Sequence, residues 1–194
     1  MHKVLDFIKK NKQFSFFLLL VILLALITIF APVIAPQDPY VSDLKNALQP
    51  PSSAHWFGTD KLGRDIFSRV IYASRSSLPA TLILVALIFV IGTLLGTLAG
   101  YFGGWIDAVI MRISDMMISF PGMVLAIAVA GIMGASVKNA VIAVAVVSWP
   151  KYARLARSLV MKIRHEDYIY AAIVTGSKTS YILRKYMLPN IIPT

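Results

Sequence analysis

The chain has 194 residues, of which 58% are hydrophobic and only 14% are charged, and its mean hydropathy is +0.74. Soluble proteins carry about 25% charged residues, so this composition excludes an ordinary soluble domain and predicts a membrane protein with several spans. The absence of cysteine excludes disulfides, thiolate metal sites and a cysteine nucleophile. The net charge of +10 is typical of basic cytoplasmic loops in such a protein, and we predict no binding of nucleic acid.

The chain begins with a basic tail at residues 1–13, which is followed by an uncharged run at residues 14–35. A run of this length crosses a hydrocarbon core of ~30 Å as a helix. Because it lacks a small-x-small cleavage site, we predict an uncleaved first span, TM1, rather than a signal peptide. A polar insert with several prolines follows at residues 36–75.

Three further spans are predicted from the uncharged stretches of the core region, residues 76–194. We place TM2 at about 78–102, TM3 at about 114–134, TM4 at about 137–159 and a loop at 160–190. The sequence Gly134–Asn139 is the natural turn between TM3 and TM4. TM4 must include Lys151 and Arg154, and at its full predicted length also Arg157, near its inner end, where long basic side chains can snorkel.

Both ends of this predicted bundle are basic. The tail carries four lysines, and 8 of the chain's 19 Lys and Arg residues lie from Lys151 onward. The positive-inside rule therefore places the N-terminus and the loop at 160–190 in the cytoplasm and the insert outside. An even number of spans satisfies both placements.

TM2 carries Gly92, Gly96 and Gly100, a glycine at every fourth position. Residues four apart lie on one face of a helix, and glycine lets a second helix approach closely. We expect this face to be buried against protein, either as ordinary helix packing or as the wall of a transport pathway.

TM3 contains the sequence Ser119-Phe120-Pro121-Gly122. Proline removes a backbone donor and kinks a helix. Broken helices mark transport sites in some transporters, although kinks are also common without that role. Arg112 and Asp115 precede the proline at positions i and i+3, so they can pair, either as an interfacial salt bridge or as a coupling-loop contact.

The insert predicts an interfacial helix that leads into TM2, because its apolar residues fall at helical spacing. These residues are Leu62, Ile66, Phe67, Val70 and Ile71. His55 and Asp60 also lie in the insert, but one histidine and one aspartate are a poor metal ligand set, so we predict no metal site.

The sequence offers no set of catalytic groups. Its histidines, His2, His55 and His165, lie in the tail, the insert and the cytoplasmic loop. It contains no Gly-x-Ser-x-Gly, His-Glu-x-x-His or Gly-x-x-x-x-Gly-Lys motif. We therefore predict a non-enzymatic protein that binds no cofactor. If ATP drives transport, another chain must bind it.

Four blocks of sequence occur in a recognisable order. The first block is Phe57-Gly58-Thr59-Asp60-x-x-Gly63-Arg64-Asp65-x-x-Ser68-Arg69, and the second joins Arg112-x-x-Asp115 to Ser119-Phe120-Pro121. The third is Ser148-Trp149-Pro150-x-Tyr152-Ala153-Arg154, and the fourth runs from Asp167-Tyr168 through Ala171-Ala172 and Gly176 to Leu188-Pro189-Asn190. Together they resemble the dipeptide/oligopeptide/nickel permease family of ABC importers, and more narrowly the subunit type with an insert between its first two spans. Its signature residues here are Gly58, Thr59, Asp60, Gly63, Arg64, Asp65, Asp115 and Pro121.

The fourth block resembles the EAA coupling motif, which in this family docks into a cleft on the ATPase subunit. The residues for which the resemblance implies this role are Tyr170, Ala171, Ala172, Gly176, Leu188 and Pro189. Small alanines would allow close helix contact, and Gly176 would permit a sharp turn. Leu188-Pro189 would lead the chain back into the membrane. Tyr170 departs from the motif because it stands where the motif's glutamate is expected.

The resemblance also implies the fold, the partners and the location. We expect an all-α polytopic bundle in the cell membrane with about four of six spans present, and hence a chain truncated at its C-terminus. The implied partners are a second permease subunit in a heterodimer, two ATPase subunits that use ATP, and an extracytoplasmic substrate-binding protein. The implied cargo is a peptide or nickel.

Three alternatives stay open at this point. The chain could be the permease of another ABC importer class, although the long insert argues against it. A secondary transporter would need intramembrane ionisable residues, which the first two spans lack. A membrane enzyme is disfavoured by the missing catalytic groups.

Overall fold

The computed structural model describes residues 11–191, and every regular element in that range is helical, apart from one isolated β-bridge between Thr59 and Asp65. The helices are α1 (Lys12–Ile29), α2 (Ala31–Ile34), α3 (Ile66–Phe102), α4 (Gly104–Ser119), α5 (Gly122–Met133), α6 (Val137–Ile163), α7 (Asp167–Val174), α8 (Thr179–Ile182) and α9 (Leu188–Ile191). A 3-10 turn at Leu44–Asn46 and a π-helical stretch at Leu183–Met187 complete them. The chain is thus an all-α membrane protein. Most of the predicted tail, residues 1–13, lies outside the described residues.

The chain divides into two compact units, one up to Pro79 and one from Ala80 onward. In the first unit, α1 is long and apolar enough to cross a membrane. It ends at Ile29, before the predicted end of TM1 at Ala35, because Pro32 lacks an N–H and crowds the preceding turn. The short α2 then begins with this proline in its first turn.

The insert forms a hydrogen-bonded loop where the sequence predicts the start of an interfacial helix. Gly63 has a φ of +72°, and a Cβ there would overlap the carbonyl group of Asp43. The Asp60 carboxylate accepts hydrogen bonds from the N–H groups of Leu62 and Arg64, at 2.8 and 3.0 Å. These constraints fix a turn, so the helix begins at Ile66 and continues without interruption as α3.

In the second unit, α4 and α5 meet at a sharp break rather than at a kink within one helix. Phe120 is extended, with φ −89° and ψ 147°, because the residue before a proline is pushed out of the helical region. Pro121 then precedes the first turn of α5, and the two helices are bent by 95°. The single span predicted at 114–134, with a kink at its proline, is therefore two separate helices.

The turn between α5 and α6 lies inside the predicted Gly134–Asn139 segment. Gly134 has a φ of +89°, and the Ser136 hydroxyl caps α6 by accepting from the N–H of Asn139 at 3.0 Å. The Asn139 side chain donates back to the carbonyl oxygens of Met133 and Gly134. Asn139 thus forms hydrogen bonds to both ends of this turn.

By length and composition, α1 and α3 can each cross a membrane, and the bent pair α4–α5 gives a third crossing if it acts as one span. This holds for residues 11–191. The predicted TM4 corresponds to α6, which is long enough, but its basic residues make it less apolar than the others.

Candidate functional site

The three glycines of α3 lie directly against α6. A Cβ at Gly92 would come within 2.5 Å of a side-chain carbon, and one at Gly96 would overlap a carbonyl oxygen. The residues that Cβ atoms at positions 92, 96 and 100 would meet first are, in this order, Tyr152, Ala153 and Arg157. Because the contacts advance in the same direction along both helices, α3 and α6 run parallel. Their backbones can touch because glycine presents no side chain.

Two ion pairs tie α4 to α6. Arg157 donates from Nε and Nη2 to the two carboxylate oxygens of Asp107, each at 2.5 Å. Arg154 donates to Asp115 at 2.6 Å. Arginine–carboxylate pairs of the two-bond kind are both strong and directional. Asp115 therefore pairs with Arg154 and not with Arg112, the partner considered from sequence.

The Asp107–Arg157 pair is absent from the sequence predictions. The two residues are 50 positions apart, so no local spacing brings them together. The available signal was weaker: an acid and an arginine on two neighbouring predicted helices, both within otherwise apolar sequence. These arginines are paired and do not simply snorkel.

Residues 167–191, called the knob below, form a compact unit on the end of α6. Its core consists of buried apolar side chains from α7 and from the helical segment 179–191 that follows it, together with one from α6. These are Ile169, Ala172, Ile182, Met187 and Ile191 from the knob and Val160 from α6. The knob is therefore attached to α6 by apolar packing as well as by the chain.

The predicted coupling residues on α7 point in different directions. Ala172 is buried in the core of the knob, whereas Ala171 is exposed on the outer face. Tyr170 is half exposed, and its hydroxyl lies 3.0 Å from Nδ1 of His165. Only one of the two alanines thus serves packing within the chain, and the other is free for an external contact.

Gly176 ends α7 in a Schellman motif. The N–H of Ser177 donates to the carbonyl of Ala172, and that of Gly176 donates to Ile173, both at 3.0 Å. Gly176 has a φ of +77°, and a Cβ there would meet no atom within 4 Å. The position requires glycine for its backbone angle, while the space beside it is open.

The end of the knob carries Leu188 and Pro189. Leu188 packs against the knob core, and Pro189 is exposed in the first turn of α9. The π-helical stretch Leu183–Met187 directly precedes them. A wider turn accommodates a proline that cannot donate to the preceding turn. The course that the chain takes beyond Ile191 lies outside the described residues.

The signature residues of the insert hold its loop together. Gly58 has a φ of +74°, and a Cβ there would overlap the carbonyl oxygen of Gln49. The Thr59 hydroxyl accepts from the N–H of Gln49 at 2.8 Å and donates to the carbonyl of Asn46. A glycine turn and side-chain hydrogen bonds, rather than regular secondary structure, thus fix the conformation of this loop.

Two aspartates of the insert are held in their charged form. The side-chain hydrogen bond from Arg64 lowers the pKa of Asp60 to about 2. Asp65 is buried, which opposes ionisation, but hydrogen bonds from Ser68 and His55 outweigh burial and lower its pKa. His55 contacts Asp65 at 3.0 Å, so its partner is not Asp60.

The sequence matches two family models. One, described as a binding-protein-dependent transport system inner membrane component, matches residues 92–194. The other, described as the N-terminal TM domain of oligopeptide transport permease C, matches residues 2–51.

Curated relatives resemble the chain over most of its length. A dipeptide transport system permease protein of Alkalihalophilus pseudofirmus is 44% identical over 94% of this chain and 60% of its own length. A glutathione transport system permease protein of Pectobacterium atrosepticum is 44% identical over 90% of this chain and 58% of its own length. A nickel transport system permease protein of Escherichia coli is 36% identical over 91% of this chain and 64% of its own length. The chain thus spans about 60% of the length of these relatives. Because the first family model covers more than half of the sequence, from the glycine face of α3 through the knob, the chain belongs to the family of binding-protein-dependent transport system inner membrane components.

Proposed function

We propose that the chain is a membrane-spanning permease subunit of an ATP-binding-cassette importer for peptides or nickel. The observation that carries the proposal is the knob: a compact unit packed onto α6 through Val160, with an exposed outer face around Ala171. The relatives named for dipeptide, glutathione and nickel transport support the same reading. In this role the chain carries out no chemistry itself and binds no ATP.

The proposed partners follow from this role. Two ATPase subunits bind and hydrolyse ATP, and the knob of this chain docks into one of them. A second permease subunit completes the translocation pathway. An extracytoplasmic binding protein delivers the substrate, in keeping with the binding-protein dependence in the family's description.

The parallel course of α3 and α6 supports the proposed topology. Two parallel spans leave the membrane on the same side, so the α4–α5 segment between them has to return the chain once. A 12-residue α5 is about 18 Å long, too short to cross ~30 Å alone, so part of α4 belongs to this crossing. With α1, four crossings would put the N-terminus and the knob on the same side of the membrane, and the positive-inside rule makes the cytoplasm that side in this proposal.

The contacts of α6 suggest how a push on the knob reaches the bundle. The knob packs on the end of α6, α6 lies against the α3 glycines, and its arginines hold α4. ATP-driven closure of the ATPases would move the knob and these three helices together, and the break at Phe120–Pro121 is the place where α5 can reorient. Rocking between inward- and outward-facing states is a common form of alternating access.

The exposed face of the knob gives a direct test. We expect Ala171→Glu to abolish uptake of labelled peptide or nickel and to release the ATPase from the membrane fraction, because a charge would be buried at the interface. The chain itself should stay in the membrane, since Ala171 lies outside the knob core. The matched control is Ala54→Glu, the same change at an exposed position of the insert. Retained ATPase and normal uptake in the Ala171 variant would remove the coupling role.

A further inference from the structure

A cleft of about 390 Å³ lies between α5 and α6. Most of its wall is apolar and includes Met123 and Ile127 from α5. From α6 come two polar side chains, Ser148 and Lys151, which lie three positions apart and therefore on one face of the helix. The cleft thus combines an apolar wall with a hydroxyl donor and a cation.

On the proposed topology, Lys151 lies deep in the membrane. A Cβ at Gly92 of α3 would meet atoms of Trp149 and Tyr152. These two residues bracket Lys151 in the sequence, so Lys151 is level with Gly92. Gly92 lies ten residues before the end of α3 at Phe102, about 15 Å at the helical rise, and this stretch of α3 is uncharged. Because a hydrocarbon core is ~30 Å thick, the ammonium of Lys151 is too deep to reach the headgroups on its four-carbon stem.

Lys151 also lacks the kind of partner that the two arginines following it on α6 have. Arg154 and Arg157 form ion pairs with Asp115 and Asp107. Lys151 forms no ion pair with any residue between positions 11 and 191. Ionisable residues inside a membrane face a bundle interior or a water-filled cavity, and they mark substrate pathways. An unpaired lysine beside a cleft therefore indicates a place that an anion enters.

The helix break at Phe120–Pro121 lies beside the cleft and at the same depth. Gly122, the first residue after the break, lines the cleft, and a Cβ there would lie 3.9 Å from Val147, one turn before Lys151. Phe120 and Pro121 are both exposed in this chain. Non-helical backbone at membrane depth is tolerated only where it is buried in protein or lines a water-filled cavity. This side of the bundle therefore does not face lipid.

We propose that the α5–α6 cleft is a substrate site of the translocation pathway and that Lys151 binds the carboxylate of a peptide in transit, an inference that rests on the importer function proposed above. The Ser148 hydroxyl donates a second hydrogen bond to the carboxylate, and an apolar side chain of the peptide lies along Met123 and Ile127. Met123 is 83% exposed, and methionine adapts to apolar groups of different shape. Because a lysine attracts a carboxylate and repels a bare Ni²⁺ ion, the site favours a peptide as the cargo.

The first test measures uptake of labelled alanyl-alanine by cells that express the chain with its partner permease, ATPases and binding protein. Lys151→Met keeps most of the side-chain length but removes the charge. It should lower the uptake rate about tenfold, as expected for one lost hydrogen bond to a charged group. Lys151→Arg should keep most of the uptake. The matched control Lys162→Met removes an exposed cation in the last turn of α6, outside the cleft, and should leave uptake unchanged.

A second test locates the peptide in the cleft. Because the chain has no cysteine, Ser148→Cys places a single thiol there. In membranes that hold the assembled transporter, a small water-soluble thiol reagent should label this thiol, and alanyl-alanine delivered by the binding protein should slow the labelling. Adding Lys151→Met should abolish this protection. The matched control Ser158→Cys, at an exposed position of α6 outside the cleft, should react at the same rate with and without the peptide.

Retention of the ATPase and of the partner permease in the membrane fraction shows that each variant is folded and assembled. Normal uptake by Lys151→Met, or a thiol at position 148 that the peptide does not protect, would overturn the inference and leave the importer in place. So would loss of the partner permease with Lys151→Met, because Lys151 would then pair with an acidic residue of that subunit. Normal uptake by the Ala171→Glu variant would instead contradict the coupling role of the knob and leave the role of Lys151 standing.

Discussion

At the residue scale, the contact between α3 and α6 depends on an absent side chain. A Cβ at Gly96 would overlap the Ala153 carbonyl oxygen and crowd the Ala156 Cβ. Ala153 itself is fully buried, so the α6 side of the contact has no space to yield. The regular glycine spacing made this face predictable from sequence, but the identity of the opposing helix could not be read from it.

We predict that Gly96→Leu destabilises the protein by about 1–3 kcal/mol, because the added side chain must push α6 away. The matched control is Gly131→Leu on α5, where a Cβ would meet no atom within 4 Å. The melting temperature of the detergent-solubilised protein measures the stability of each variant, and it should fall for Gly96→Leu but not for Gly131→Leu. Equal behaviour of the two variants would show that α3 does not pack on α6 through this face.

The sequence alone does not show which residues of the knob are buried. Ala171 and Ala172 are chemically identical neighbours, yet one is exposed and the other is buried. Helical periodicity alone separates adjacent positions, but assigning the inner one requires knowing that Ile169 and Ile182 form the core. The glycine at position 176 was predictable, because a positive φ at the end of a helix favours glycine.

At the element scale, the association of α4 with α6 rests on two ion pairs of different exposure. In the Arg157–Asp107 pair, the side chains are 30% and 18% exposed. In the Arg154–Asp115 pair, they are 50% and 62% exposed. Screening by solvent weakens exposed pairs, so the first pair should hold α4 more firmly than the second.

We predict that Asp107→Arg lowers the free energy of unfolding by about 1–3 kcal/mol, since it leaves Arg157 without its partner and adds a like charge. The double variant Asp107→Arg with Arg157→Asp should recover part of this loss. The corresponding single substitution at the more exposed pair, Asp115→Arg, should lower the free energy of unfolding by less than about 1 kcal/mol. Denaturant or thermal unfolding of all variants measures the difference, and equal costs for both pairs would contradict the ranking.

The elements themselves were predictable to different degrees. Uncharged runs located α1, α3 and α5–α6 because hydrocarbon excludes charge. The start of α3 at Ile66 was not predictable from apolar spacing. The apolar pattern already begins at Leu62, but the turn at Gly63 prevents the helix from starting before Ile66. Pro121 pointed to a bend, but the size of the bend depends on the packing of α5 against α6.

At the scale of the whole molecule, the proposed topology requires α3 and α6 to cross the membrane in the same direction. Their contacts advance together from Gly92 to Gly100 on one helix and from Tyr152 to Arg157 on the other. Charge asymmetry leads independently to an even number of spans. The proposed topology therefore has support from packing and from charge.

We predict that the insert faces outward and the knob faces the cytoplasm. Single cysteines can be placed at the exposed positions Ser53 and Thr179, because the chain has no cysteine of its own. In intact cells, a membrane-impermeant thiol reagent should label the first variant. Labelling at position 179 should require permeabilised membranes. The opposite pattern would reverse the orientation.

Photo-cross-linking from the exposed face of the knob tests whether the knob docks into an ATPase. Tyr170 and Tyr40 are 49% and 74% exposed, and each can be replaced by the photoreactive p-benzoylphenylalanine. In native membranes, we expect a cross-linked product with the ATPase from position 170 on the knob and none from position 40 in the insert. An ATPase that sediments with the membrane but cross-links from position 40, or from neither position, would contradict it.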